Sequence, residues 1–534
     1  MAARASSPSP AQARRDEPDD ADIGFLRFAA RDPHEVAVVD PTGRPWSRGE
    51  LGALVARLAR AFRAAGLAPR ETIAIAAPNC AEYLAAYLAG VYAGLFVVPV
   101  NWHLAPNETE HILTDSGARA VVVHERLGEH KLASLVSCNE RVELRLCIGR
   151  AAGFVPLDAF VAPYSSAALE ASPTGRMMAY TSATTGRPKA VRLPPRDGHR
   201  ALVRITAGNR FLGILPEDGN VHLCASMLYH PAPLVGCEMA LHMGHPVVLV
   251  DVWDSEPLLQ LIERYGVTTT FMVPAMFVRL LKLREAVRRR YRVASLRAVV
   301  HGGAPCPPEI KRAMIEWWGP VVWEAYGATE TPGTVVSAVE WLRRPGTVGR
   351  PYPGGAEAVK IMDESGRELP PGEVGLVYLR PRSGERFEYL GDPEKTRACY
   401  RGDFVTVGDL GYLDEEGYLF LCDRRTDVII SSGMNIYPAE IEMALVQHPL
   451  VRDCAVLGEP HALLGEVPKA YVQLEAGAAG GPAMTAELLR FLGERLAAMK
   501  LPKRFEYVER VPRDPNGKLY RRLLRKPRDG SVAP

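Results

Sequence analysis

The sequence has almost no net charge. Its 64 lysines and arginines stand against 62 aspartates and glutamates, interleaved along the chain, for a formal balance of +2. Such a balance raises no broad field of one sign, which argues against nucleic acid or an anionic membrane as a partner held by charge and leaves small molecules. Cysteine is scarce and unpatterned. Nine of them, from Cys80 to Cys454, occur singly and without a CxxC pair, so no zinc site or disulfide framework is legible, and reduced thiols in the cytoplasm are expected. No GxxxxGK followed by Ser or Thr occurs, and no GxGxxG follows a strand, which excludes a Walker loop and a dinucleotide fingerprint. The amino-terminal "MAARASSPSPAQARRDEPDDADIGF" lacks the apolar run of a signal peptide, and its mixture of Pro, Ser, Arg and Asp predicts a disordered tail over residues 1–22.

A long uncharged stretch, "YLAAYLAGVYAGLFVVPVNW" from Tyr83, approaches the length of a bilayer crossing. Two periodicities divide it. Tyr83, Leu84, Tyr87, Leu88 and Val91 are spaced as on a helix, Gly94 interrupts, and "LFVVPV" predicts a short buried strand, so no integral membrane segment is expected.

A chain of 534 residues that is 47% hydrophobic can bury several cores, so more than one domain is expected. From Val36 to Glu125 the apolar runs "VAVVD", "TIAIAAP", "FVVPV" and "AVVVH" alternate with helical stretches, and the alternation returns at "HPVVLVDVWDSEPLLQLIERYGVTTTFMVP" and "LRAVVHGGAP". Two similar layers with parallel sheets are predicted before about residue 350. After Pro351, short strands between Gly and Pro turns predict a small β-rich module, and from Thr426 the texture returns to α/β. The fold class is therefore α/β: a large N-terminal domain over 23–425, made of two α/β layered subdomains plus the β-rich module, and a small α+β domain over 426–534.

The segment "YTSATTGRPKAVRL", Tyr180 to Leu193, concentrates the chemistry. Thr181, Ser182, Thr184 and Thr185 offer hydroxyl donors, Gly186 permits unusual backbone angles, and Lys189 adds a point charge, all of which suit a bound phosphate. A polar surface turn is the plainer alternative. Ala183 and Ala190 add a methyl where such loops favour glycine; if either position needs a positive φ, the strain is on the order of 1 kcal/mol.

The segment resembles the YTSGTTGxPKG signature of the adenylate-forming superfamily, which includes acyl-CoA synthetases and ligases, luciferases and nonribosomal adenylation domains. The resemblance continues in order. "SMLYHPAPL" is similar to the aromatic-histidine motif with Tyr229 and His230, "HGGAP" to the adenine-contacting loop with Gly302, Gly303 and Ala304, and "EAYGATE" to the YGxTE element with Tyr326, Gly327, Thr329 and Glu330. "VGDLGYLDEEGYLFLCDRRTDVIISSGMNIYPAEIE" resembles the ribose-binding and hinge motifs, with Asp409 and Arg424 at the matched places, and "PRDPNGKLYRRLLR" supplies a C-terminal lysine, Lys518.

The resemblance implies ATP, Mg²⁺ and CoA, the last as co-substrate. Joining a carboxylate to the α-phosphate of ATP brings two anions together, so cations and aligned donors are needed to cancel their repulsion. Glu330 would hold Mg²⁺, Thr329 would donate to the α-phosphate, Asp409 and Arg424 would hold the ribose, and His230 would shape the carboxylate pocket. Lys518 would reach the reacting oxygens, and rotation of the mobile C-terminal domain at "DRRTD" would then admit the thiol past Gly433. Thr426 and Ser432 depart from the usual hinge and loop residues.

Leu234, Val235, Gly236 and Met239, with Tyr229 and Gly302, are the expected acid pocket. The wording "LYHPAPL" and "FEYLGDPEKT" looks most like bacterial ligases for fatty or related acids. A medium- or long-chain acid is expected first and an aryl acid second. Alternatives are a specialised-metabolism enzyme that loads a carrier protein or activates nitrite to diazotise an aryl amine, and a nucleotide-binding pseudoenzyme. A monomer or homodimer is expected.

Overall fold

In the computed structural model the described residues are 23–524, apart from 138–140, 168, 170–172, 182–187, 353–355, 382–384, 432–433, 462, 515–516 and 518. The runs without polar alternation become buried parallel strands. Thr72–Ala76 and Phe96–Pro99 are buried along their whole length, as expected of strands covered on both faces. They lie inside a six-stranded parallel sheet with Ala118–His124, Leu144–Ile148, Val155–Pro156 and Arg176–Met177. The helix Arg48–Ala64 begins with a capping box between Ser47 and Glu50. The uncharged stretch resolves as the sequence predicts: a helix Ala81–Tyr92, a turn at Gly94 with φ of +82°, and the strand Phe96–Pro99. Among the described residues no helix is long and apolar enough to cross a membrane.

A second sheet is larger than the sequence suggests. Its parallel part runs Val36–Val39, Val247–Leu249, His222–Cys224, Thr269–Met272, Ala298–Gly302 and Val322–Ala328. The run "VAVVD", grouped by its position with the first layer, belongs to this one. Adjacency in sequence does not select a sheet when a distant strand offers a parallel edge. The β-rich segment is likewise not a free module. Thr347–Pro351 pairs with Leu419–Arg424, which pairs with Asp409–Leu413, so these antiparallel strands continue the edge of the α/β sheet. A small three-stranded sheet of Ala179–Thr181, Lys189–Arg192 and Glu388–Tyr389 joins the segment around Tyr180 to a strand distant in sequence.

The C-terminal domain has a five-stranded sheet with a core of its own, including Ile429, Ile441, Val456, Leu488 and Leu492. It rests on the large N-terminal domain through Lys282, whose Nζ donates to the Val451 carbonyl, and Gln447, whose Nε2 donates to Glu309.

Under the strands that will carry the site, Lys311 of helix Pro308–Trp318 and Glu324 of strand Val322–Ala328 form a buried ion pair at 2.7 Å. Burial lowers the lysine's pKa and raises the glutamate's, each partly opposed by the other's charge. Removing one partner strands a buried charge, whereas removing both does not. Lys311→Met should therefore destabilise the N-terminal domain by about 3–5 kcal/mol, and Lys311→Met with Glu324→Leu should recover most of the loss, as read from urea midpoints followed by tryptophan fluorescence.

Candidate active site

The two residues expected to meet the phosphates occupy a hairpin tip. Strands Val322–Ala328 and Thr331–Val336 pair with Ala328 opposite Thr331, so Thr329 and Glu330 form the turn. Close backbone approach makes this geometry. A Cβ at Gly333 would lie 1.8 Å from the Tyr326 carbonyl oxygen and 2.8 Å from the Gly327 Cα, which no side chain could accept. Gly327 in turn lies against the Gly333 backbone. The tip is thereby pulled inward, and Glu330 is only 5% exposed.

Glu330 is aimed by a residue far away in sequence. Tyr389 donates from its hydroxyl to Glu330 Oε1 at 2.8 Å, and burial beside that carboxylate raises the phenol's pKa. Tyr389 reaches this place because its strand pairs with Lys189–Arg192, Val191 lying opposite Tyr389. The same small sheet carries Lys189, which is ion-paired with Asp392, itself the cap of the helix Pro393–Cys399. Tyr180 is anchored by its hydroxyl to Asp115 Oδ2 at 2.7 Å. Thr181 stands in strand opposite Lys189, so the phosphate loop is the connection of a hairpin whose two stems are fixed. Ser182, Ala183, Thr184, Thr185 and Gly186 lie outside the described residues. Ala190 is buried in the strand opposite Tyr180 and is not at a positive φ. The strain allowed for at that position does not arise, because a paired strand accepts any L residue.

A second node lies beside the first. Tyr326 donates to Asp409 Oδ2 at 2.8 Å, and Arg424, opposite Asp409 on the adjacent strand, sits 3.3 Å from Oδ1. A carboxylate has about four acceptor sites, so these contacts orient Asp409 and leave capacity for two ribose hydroxyls. Gly302 is buried at the end of its strand, where a Cβ would meet the Ala325 carbonyl oxygen at 2.3 Å. Gly303 follows at φ of +80°, and both it and Ala304 are exposed, leaving an open edge where the resemblance places adenine.

The C-terminal loop closes over this edge. Asp514 Oδ2 is 3.3 Å from His230 Nε2, and a Cβ at Gly517 would touch Ala275 and Val273. Arg513 holds the loop, donating from Nη1 to the Gly517 carbonyl while its Nε bonds Asp453. Lys518 itself lies outside the described residues, as do Ser432 and Gly433. Its neighbours Gly517 and Leu519 are described, the latter bridged to Arg513. Thr426 is exposed in the turn after Leu419–Arg424.

His230 precedes the helix Pro231–His242, with Tyr229 packed at 4.6 Å between ring centres. Behind it lies a cavity of about 260 Å³ lined by Gly236, Met239, Phe271, Val300, Tyr326 and Tyr352, among others, with no Lys, Arg, Asp or Glu among the described lining residues. Helical geometry decides which pocket candidates reach it. Ala232, Gly236 and Met239 share one face, while Leu234 is fully buried in the hydrophobic core and, like Val235, does not line the cavity. The expectation for those two residues is corrected: Leu234, Val235 and Gly236 are consecutive on a helix and cannot all face one side, and Tyr229 and Gly302 do not line the cavity either.

The family model of the AMP-binding enzymes matches residues 25–384, and that of the AMP-binding enzyme C-terminal domain matches 440–518. The chain belongs to the AMP-binding enzyme family. This AMP-binding enzyme is 34% identical over 515 residues to a feruloyl-CoA synthase from Amycolatopsis sp, covering 94% of this chain and 97% of the relative. It is 33% identical over 485 residues to the fatty acid–acyl-carrier-protein ligase ScoC of Streptomyces coeruleorubidus, covering 88% and 89%. Its fold matches the o-succinylbenzoate CoA synthetase of Bacillus subtilis in complex with the acyl-adenylate intermediate, with a TM-score of 0.78, 27% identity, and coverage of 96% of this chain and 99% of that one.

Three residues of the AMP-binding enzyme's site escaped the sequence reading of roles: Tyr389, Asp392 and Asp514. The signal was present, since Tyr389 and Asp392 sit in "FEYLGDPEKT" and Asp514 in "PRDPNGKLY", but nothing in one dimension pairs Tyr389 with Glu330.

Fit to Mg²⁺ can be judged from the donors. Glu330 presents a hard carboxylate held at one oxygen by Tyr389, and among the described residues no cluster of three His, Cys, Asp or Glu could cage a metal. That suits a cation bound by one carboxylate plus phosphate oxygens and water. Tyr389→Phe removes one hydrogen bond of about 1 kcal/mol. It is expected to lower kcat/KM for adenylation roughly fivefold and to raise the Mg²⁺ concentration for half-maximal activity, as measured by pyrophosphate release.

Proposed function

We propose that this AMP-binding enzyme is an ATP-dependent, AMP-forming acyl-CoA ligase whose acid is compact, an aryl or short-chain monocarboxylic acid. The observation that carries the reading is the sharing of Tyr326: the residue lines the acid cavity while its hydroxyl holds Asp409, the ribose candidate. Acid and nucleotide therefore meet at one side chain. An engineered cavity of about 150 Å³ in another protein accepts benzene, so about 260 Å³ suits a ring with a short arm. Size favours the second of the expected substrate classes over a long chain.

The chemistry follows in two steps. A carboxylate oxygen attacks the α-phosphorus of ATP, the bond to the pyrophosphate leaving group breaks, and an acyl adenylate forms. The thiolate of CoA then attacks the acyl carbon and AMP departs. Mg²⁺, bound through Glu330, would supply charge neutralisation at the phosphates. Thr329 stands beside it on the same turn, and Tyr389 fixes the carboxylate's orientation. His230 sits at the head of the acid pocket, where Asp514 shows the C-terminal loop already docked.

Residues 23–425 serve as the adenylation domain and 426–534 as the mobile domain, with 1–22 a tail. The docked loop corresponds to the first step, which needs Lys518, and its withdrawal would open the path for the thiol. Unpaired cysteines, eight of which are free among the described residues, support a cytoplasmic setting for the reaction. Likeness to ScoC favours a carrier-protein thiol as the second reading of the acceptor.

A pyrophosphate-release screen over aryl and aliphatic acids, with and without CoA, is expected to show acid-dependent turnover ending in a CoA thioester. Absence of turnover with every acid would refute the ligase reading, and a thioester formed only on a carrier protein would move the acceptor. Lys518→Ala should depress adenylate formation by at least a hundredfold, while thioester formation from preformed acyl adenylate changes less than tenfold.

A further inference from the structure

The floor of the acid cavity holds a polar group that neither reaction step uses. His222 opens the strand His222–Cys224, lines the cavity and is 7% exposed. Its Nδ1 lies 3.0 Å from the Thr269 hydroxyl, directly across the parallel pairing of the two strands. Its Nε2 is buried and, among the described residues, has no hydrogen-bond partner. Buried polar atoms are almost always paired, so an orphaned nitrogen beside a ligand cavity calls for a reason.

Gly236 shows where that nitrogen faces. It lies within the helix Pro231–His242, at no positive φ, so the backbone does not require glycine there, and glycine weakens a helix. Packing does require it. A Cβ at Gly236 would stand 3.0 Å from His222 Nε2 and 3.3 Å from its Cε1. Gly236 also lines the cavity. The missing side chain therefore keeps a methyl off the nitrogen beside the cavity, although the nitrogen itself is buried.

Resting on the ligase reading, we infer that His222, oriented by Thr269 and kept clear of a side chain by Gly236, is a specificity-determining residue that recognises a hydroxyl at the far end of the acid. The substrate class is then a hydroxylated monocarboxylic acid, a hydroxyaryl acid first of all. A hydroxyl suits either arrangement of the imidazole. It accepts from Nε2–H if Thr269 donates to Nδ1, and donates to Nε2 if Nδ1–H is bonded to Thr269. A second carboxylate does not suit the site, because no cation lines the cavity among the described residues. Burial keeps the imidazole's pKa low, at about 4, so the ring is neutral at neutral pH and offers a hydrogen bond rather than a charge.

The test compares kcat/KM for matched acids that differ only by a distal hydroxyl: 4-hydroxycinnamate against cinnamate, 4-hydroxybenzoate against benzoate, and an ω-hydroxy aliphatic acid against its methyl-ended analogue of equal length. In the unaltered enzyme at least one hydroxylated acid is expected to lead its partner by about tenfold, the worth of one well-placed hydrogen bond. His222→Leu should bring that ratio to about one, and His222→Gln should restore part of it. Gly236→Ala, which sets a methyl against Nε2 without replacing the histidine, should lower the ratio as well, a second route should His222→Leu fail to fold. A merely structural histidine would shift both acids together and leave the ratio alone. Turnover of acids with hydroxylated and plain partners equal in the unaltered enzyme, or a ratio that survives both His222→Leu and Gly236→Ala, overturns this inference while the ligase reading stands. No turnover with any acid refutes the ligase reading itself, and this inference with it.

Discussion

Two glycines face each other across a hairpin with no room for a carbon between them, and the rest of the site depends on that approach. Gly327 and Gly333 let the strand carrying Tyr326 and the strand leaving Glu330 close tightly enough to draw the turn into the protein. A carboxylate drawn inside must be oriented and partly satisfied, and Tyr389 does both. The hairpin thus sets two distances at once: Glu330 to Tyr389 and Tyr326 to Asp409. A site that opposes two anions depends on such fixed donors and cations, since groups that had to reorganise during reaction would forfeit much of their effect.

The site is assembled from edges. The small sheet that joins the Thr181–Lys189 hairpin to the Tyr389 strand, the ends of the parallel strands and the C-terminal loop come from three separate pieces of architecture and converge on one rim. This is the general behaviour of open α/β sheets, whose strand ends leave a crevice where ligands settle. The C-terminal loop adds a part that belongs to another domain. It meets the rim at the Asp514–His230 contact, while Arg513 ties it to its own sheet. A loop built that way can arrive with its domain and leave with it.

Burial does different work at three histidines. His301, beneath the site strands, is fully buried near Glu324 and kept neutral by desolvation and by Lys311. His222 is also buried and neutral but faces a cavity. His230 stands at the rim beside Asp514. Residue type alone does not separate a packing histidine from one that meets substrate; the neighbouring void does.

Much of this was legible from the chain. Tyr326, Gly327, Thr329, Glu330, Asp409 and Arg424 announce themselves by motif, and the helix, turn and strand within the uncharged stretch follow from periodicity because local backbone preference and burial agree there. Even the concern over Ala190 could be framed, though only its strand pairing removed it. The sequence by itself determined the nucleotide chemistry and the local elements, since these rest on residue types and short-range geometry. Tertiary structure alone decided which sheet received Val36–Val39, which side of the helix after His230 faces the cavity, that Tyr389 bonds Glu330, and that Gly236 lies against His222. Each of these is a contact between segments far apart in the chain, settled by shape and by competition for edges and space, and no short-range preference encodes it.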